Sequence, residues 1–186
     1  MSVYISVHGL RPRLLLVGAG HVNRAVAHAA ARVDFDICVG DIYSASLCPD
    51  AFPLSARLVH AASFTDVVEA MAVRTAGFRA DCHQQPGSGG AGQADNPAGG
   101  VAGAAGTSRR KVQAFVRQMR ENGVTEADIS RLRAPIGYDI GAETPNEIAI
   151  SVLAEILQVK NGAPGGLMNQ VRQACQPDCL AEAVEV

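Results

Sequence analysis

The run Leu14-Leu15-Leu16-Val17-Gly18-Ala19-Gly20-His21-Val22-Asn23 leaves few folds open to this chain. Four apolar residues lead into a Gly-x-Gly turn. Small and apolar residues then follow at helical spacing, at Val22, Ala25, Val26, Ala29 and Ala30. The pattern is strand, tight turn, helix. The next apolar run, residues 35–39, is closed by Asp41. That acid stands about 20 residues past the turn, where a dinucleotide-binding fingerprint places its ribose ligand. Glycines let the backbone approach a phosphate, and the helix start offers free N–H groups and a positive dipole end. Asn23 stands where the third fingerprint glycine belongs. The motif therefore supports two readings, a dinucleotide site and a plain strand–helix–strand start that binds none.

The rest of the chain agrees with an α/β domain. Its 186 residues suffice for one core, and 48% of them are hydrophobic. There is no Trp, so the core falls to Val, Ile, Leu and Ala. A net charge of −2 gives no basic surface for nucleic acid or an anionic membrane. No apolar run reaches the roughly 20 residues of a spanning helix, and no secretory signal opens the chain, so the cytoplasm is the expected compartment. Five cysteines, Cys38, Cys48, Cys82, Cys175 and Cys179, are irregularly spaced and suit reduced thiols. No histidine or cysteine spacing suggests a metal site.

In order, Val3, Ile5 and Val7 alternate as an edge strand would. Central strands are expected at 13–17 and 36–40, with a helix from His21 to about Arg32 between them. A loop at 44–55, a short strand at 57–60 and a short helix at 65–71 follow. Residues 74–82 are ambiguous. Residues 84–107 form a Gly/Ala-rich tract with Val101 as its one branched aliphatic residue. Such a tract buries too little surface to offset its ordering entropy and reads as a flexible loop. Val112, Phe115, Val116 and Met119 then mark one helix face, stopped at Asn122-Gly123. Thr125 begins a short capped helix, and residues 134–137 read as the last strand. Thr144-Pro145-Asn146-Glu147 is a capping signature for a helix to about Lys160. That helix is apolar over most of its girth, with Glu147, Ser151 and Glu155 as a polar stripe at i+4 spacing. The tail from Ala163 reads as loosely held.

Two further clusters carry chemical potential. Ser108-Arg109-Arg110-Lys111 places three cations at a helix start, against the helix dipole. A nearby anion would explain them; so would a solvated basic turn. Pro135 to Pro145 holds Gly137, Asp139, Gly141 and Glu143 between a strand end and a helix start. Ligands of open α/β sheets bind at such carboxyl ends, although Asp139 also suits a structural acceptor. His21 sits within the glycine turn, either against a ligand or in solvent.

Taken together, Ser108 to Lys111 and the run Ala134 to Ile156 resemble the C-terminal Rossmann domain of the XdhC/CoxI family, the xanthine dehydrogenase accessory factors. Gly18-Ala19-Gly20-His21-Val22 and Phe52-Pro53 fit the same domain. The resemblance covers residues 13–82 and 107–162. It implies a Rossmann-like three-layer α/β domain over 1–162 with a mostly parallel sheet, strands missing within 83–107, and a tail at 163–186. It implies an accessory protein, not an enzyme in its own right, that binds molybdenum cofactor, assists its sulfuration and passes it to a molybdenum hydroxylase apo-enzyme. A cysteine desulfurase and a second copy of the chain are further partners it suggests. Carried over by position, Gly18, Gly20, His21, Asp41, Ser108, Arg109, Arg110, Asp139 and Gly141 would line the crevice. Ile42 and Tyr43 depart from the Asp-Arg pair usual in the family, and the family's N-terminal domain is missing from this sequence. Where the family has two apolar strands and a helix before Ser108, this chain has the Gly/Ala tract, which reads as a family sequence out of frame between about Asp81 and Gly106. Two other functions fit the same residues: an NAD(P)-dependent oxidoreductase using the Gly18/Gly20 loop and Asp41, and a degenerate copy without function.

Overall fold

A computed structural model describes residues 11–71, 77–81, 102–104, 109–121 and 123–170. Its sheet strands are β1 (Arg13–Val17), β2 (Asp36–Asp41), β3 (Arg57–His60), β4 (Gly77–Asp81), β5 (Ala102–Ala104) and β6 (Leu132–Arg133). They lie in the order β3-β2-β1-β4-β5-β6, and every described pairing is parallel. The helices are α1 (His21–Ala30), α2 (Phe64–Ala70), α3 (Arg109–Glu121), α4 (Glu126–Ser130) and α5 (Pro145–Lys160). This is the α/β, Rossmann-like architecture expected from the opening run.

Burial follows from strand period. β1 and β2 are apolar on both sides, as central parallel strands must be when helices cover both faces. Leu15, Val17 and Cys38 pack with Phe64 and Val67 of α2 and with Met71, its C-cap. Their neighbours Leu14, Leu16, Ile37 and Val39 alternate to the opposite face and are also buried, as are Val26, Ala27 and Ala30 of α1. Ser63 caps α2 by accepting from the Asp66 N–H at 3.1 Å. Thr125 caps α4 in the same way through Asp128, at 3.2 Å. Gly123, at φ +79°, ends α3 with its N–H on the Arg120 carbonyl. On that helix Met119 is buried and Val112 and Val116 are partly so, as the periodicity requires.

Three sequence expectations need correction. The ambiguous stretch 74–82 contains β4, a central strand hydrogen-bonded to β1 along its length. The Gly/Ala tract is not loop throughout, because Ala102–Ala104 pairs with both β4 and β6. Sheet neighbours, not side-chain pattern, make this strand. The last strand is Leu132–Arg133 rather than 134–137. Pro135 has no N–H to extend a ladder, so pairing stops before it. The expected edge strand of Val3, Ile5 and Val7 and the thiols of Cys175 and Cys179 lie outside the described residues.

The chain divides into two compact units, Met1–Ile156 and Leu157–Val186. The second holds the end of α5, a turn in which Ala163 N–H reaches the Gln158 carbonyl, and a short helical start at 168–170. Among the described residues no helix is long and apolar enough to cross a membrane.

Candidate functional site

The carboxyl ends of β1 and β2 carry a polar network built on main-chain and side-chain groups. Gly18 turns the chain at φ +92°, which a side chain would resist, while its N–H reaches the Gly40 carbonyl at 2.7 Å. The carboxylate of Asp41 is buried between the two strand ends. Its Oδ2 accepts from the Ala19 N–H at 2.6 Å and its Oδ1 from the Tyr43 N–H at 3.0 Å. A carboxylate has about four lone-pair sites, so each oxygen keeps acceptor capacity. Asp41 thus ties the glycine turn to the segment after β2, a role beyond the ribose contact that its spacing suggested.

Asn23 is not the weak point its place in the fingerprint implied. It is fully buried, and its Nδ2 donates to the Val17 carbonyl at 2.9 Å and the Gly18 carbonyl at 2.7 Å. An amide here closes the turn from below, where a glycine could only make room. Its Oδ1 is buried and unpartnered. Arg24 completes the frame. Its Nε donates to the Ala19 carbonyl at 3.0 Å, its Nη2 to the Ser46 carbonyl at 3.1 Å, and its guanidinium lies 5.8 Å from the centre of the buried Phe52 ring. His28 Nε2 and the Ala51 carbonyl are 3.3 Å apart, which ties the same segment to α1 again.

Above this frame the site is open. Gly20 is the N-cap of α1 and no side chain caps the helix. A Cβ at Gly20 would meet nothing within 4 Å. The first N–H groups of a helix have no intrahelical partner, and the dipole there favours an anion. His21, the first residue of α1, is exposed. Burial pushes the Cys38 thiol above its ordinary value, despite a smaller opposing effect of Arg57, so this thiol is a poor nucleophile.

The second wall is the segment between β6 and α5. The polar stripe of α5 grips it. Gly137 N–H donates to Glu155 Oε2 at 2.5 Å, and Arg133 pairs with Glu155 Oε1 at 2.8 Å. Ser151 Oγ donates to the Tyr138 carbonyl at 2.5 Å, while Tyr138 N–H donates to the Ser151 carbonyl at 3.3 Å. Gly137 has φ +120°, and a Cβ there would collide with Ser151 Oγ and lie 3.3 Å from the helix backbone. The third member of the stripe, Glu147, forms the expected capping box. Its Oε2 accepts from the N–H groups of Glu143 and Thr144, both at 2.9 Å, and its own N–H donates to Thr144 Oγ1 at 3.3 Å. These bonds hold its carboxyl below the usual range, the Thr144 N–H contributing most. Asp139 and Gly141 lie on the exposed part of this loop, with Asp139 Oδ1 and Gly141 N 3.4 Å apart.

The structure thus gathers Gly18, Gly20, His21 and Asp41 at one place, and Asp139 and Gly141 at another. Both stand at the carboxyl edge of the sheet, but β4 and β5 intervene between β1 and β6. Three strand spacings amount to about 14 Å. Arg109 and Arg110 open α3, which follows β5, so the topology sets them between the two walls. Ser108 lies outside the described residues. The loop-closing roles of Asn23 and Arg24 had no sequence signal beyond the mismatch to the fingerprint. The grip of Ser151 and Glu155 did have one, the polar stripe on an otherwise apolar helix. Among the described residues no group of three or more His, Cys, Asp or Glu side chains could hold a metal ion.

Comparison with known proteins agrees with this architecture. A family model described as the XdhC Rossmann domain matches residues 14–156. The protein YqeB of Escherichia coli K12, described as uncharacterized, is 58% identical over 169 residues, which is 90% of this chain and 31% of YqeB. The chain therefore spans under a third of that curated relative's length. A solved structure described as a xanthine dehydrogenase from Bacillus halodurans superposes with a TM-score of 0.61. It covers 82% of this chain and 43% of that one at 20% identity, a likeness of fold.

Proposed function

Because the chain belongs to the XdhC Rossmann-domain family, we propose that it serves a molybdenum hydroxylase as an accessory factor, holding molybdenum cofactor at the carboxyl edge of its sheet. The observation that carries this reading is the uncapped start of α1, open above Gly20 and flanked by the buried carboxylate of Asp41. A phosphate-bearing pterin suits that donor set. The N–H groups of Gly20, His21 and Val22 would take the phosphate, and the free lone pairs of Asp41 would accept from hydroxyl or N–H groups. Arg109 and Arg110, at the start of α3, would supply positive charge nearer the middle of the edge. Asp139, exposed on the second wall, would accept from pterin N–H groups. The cofactor's chemistry, oxygen transfer at a sulfurated molybdenum centre, belongs to the client enzyme. This chain would bind, shelter and release its cargo, with a cysteine desulfurase as sulfur source.

The competing reading, an NAD(P)-dependent oxidoreductase, draws on the place of Asp41 at the end of β2. The two readings separate on ligand and on Arg109 and Arg110. The double variant Arg109→Ala, Arg110→Ala should bind molybdenum cofactor at least about tenfold more weakly, as loss of charge-assisted contacts to phosphate requires. Affinity measured by cofactor retention on the immobilised chain checks this. Unchanged retention removes both arginines from the site.

A further inference from the structure

Helix α5 is apolar over most of its girth, and a helix of that kind is covered on more than one side. Its core side is accounted for by Ala149, Val152, Leu153 and Ile156, all buried. Ile150 is not accounted for, because it stands 60% exposed. We infer that Ile150, with Tyr138 and Ile140 of the adjoining loop, is the surface on which the chain docks a protein partner that presents an apolar patch rimmed by lysine and arginine. The inference rests on the accessory-factor reading, under which that partner is the apo-enzyme of the molybdenum hydroxylase.

The loop is bonded to α5 on both sides of Ile150. Tyr138 meets Ser151, the next residue of the helix, and the N–H groups of Glu143 and Thr144 meet Glu147, almost one turn earlier. Ser151 and Glu147 are about 6 Å apart along the helix axis, so residues 139–142 bow outward between them. Ile140 stands in that bow, 55% exposed, and Tyr138 at its foot, 37% exposed. These apolar side chains are kept in water by a backbone that the helix holds in place. Groups held this way lose little freedom when a partner covers them. The charge pattern gives the partner's chemistry. From Tyr138 to Val159 there is no Lys, Arg or His, while Asp139, Glu143 and Glu147 are exposed among or beside the three apolar residues. An apolar centre with charges of one sign around it suits a partner of the opposite sign and steers its approach.

Binding kinetics of the whole chain test this, with the molybdenum-free apo-enzyme of a xanthine dehydrogenase from the same cells as the probe. The double variant Ile140→Ser, Ile150→Ser should bind the apo-enzyme at least about tenfold more weakly, as loss of two central anchors requires, while its pterin retention stays at the wild-type level. Glu143→Lys should slow association and flatten its dependence on salt. Leu54→Ser, at a fully exposed apolar residue outside the patch, should bind like wild type. A double variant that binds as tightly as wild type overturns the inference, and so does an equal loss in Leu54→Ser. Failure of wild type to bind the apo-enzyme overturns it too, and pterin retention by wild type then shows separately whether the chain holds the cofactor. Light scattering covers the other occupant: a wild-type dimer that the double variant converts to monomer assigns the surface to a second copy of the chain and overturns its assignment to the client.

Discussion

The two polar regions at the carboxyl edge, the walls of the proposed crevice, are built on opposite plans. The first, at Gly18–Asp41, is closed from within. Asn23 holds its carbonyls, Asp41 holds its N–H, and both side chains are buried. The second, at residues 135–144, is clamped from outside by one face of α5 through Ser151 and Glu155. A turn closed from within is already shaped for a ligand, so little binding energy goes into ordering it. A clamped loop depends on its helix, which holds Gly137 and the Tyr138 carbonyl next to the exposed Asp139 and Ile140.

The contrast can be broken by substitution. The largest effect is expected from Asn23→Gly. It completes the glycine fingerprint yet strips two buried carbonyls of their donor and adds a helix glycine, at a cost of about 4 kcal/mol. Urea unfolding measures it; a variant as stable as wild type would mean that the first wall does not depend on its amide. Gly137→Ala strikes the second wall, combining a strained φ with collision against Ser151, for a loss of about 3 kcal/mol. A near-neutral result would mean that the loop swings free of α5. The smallest effect concerns Glu147. Its folded pKa is depressed, so its contribution is fully present above the unfolded glutamate value of about 4.3 and is lost as pH falls through the lower folded value. Glu147→Gln should therefore flatten the acid limb of a stability–pH profile, whereas an unchanged limb would show that the capping carboxylate does not couple to folding.

The walls also differed in how far the sequence disclosed them. The second was nearly legible: Thr144, Pro145 and Glu147 announced the helix start, and the box forms as written. Only the purpose of Ser151 and Glu155 was hidden, because a stripe of polar residues does not say which backbone it will meet. The first wall showed its strand, turn and helix plainly, while Asn23 looked like a defect because its partners are main-chain carbonyls, which leave no trace in side-chain pattern. Between the walls, Ala102-Gly103-Ala104 has no strand character of its own and is a strand through its neighbours on either side.

The central claim is that the edge between these walls holds molybdenum cofactor, and the direct measurement is the pterin content of the chain purified from cells that make the cofactor. Near-stoichiometric pterin, released on denaturation and lost in the Arg109→Ala, Arg110→Ala variant, is the predicted result. A folded chain free of pterin, or one that carries NAD(P) and transfers hydride, would contradict it.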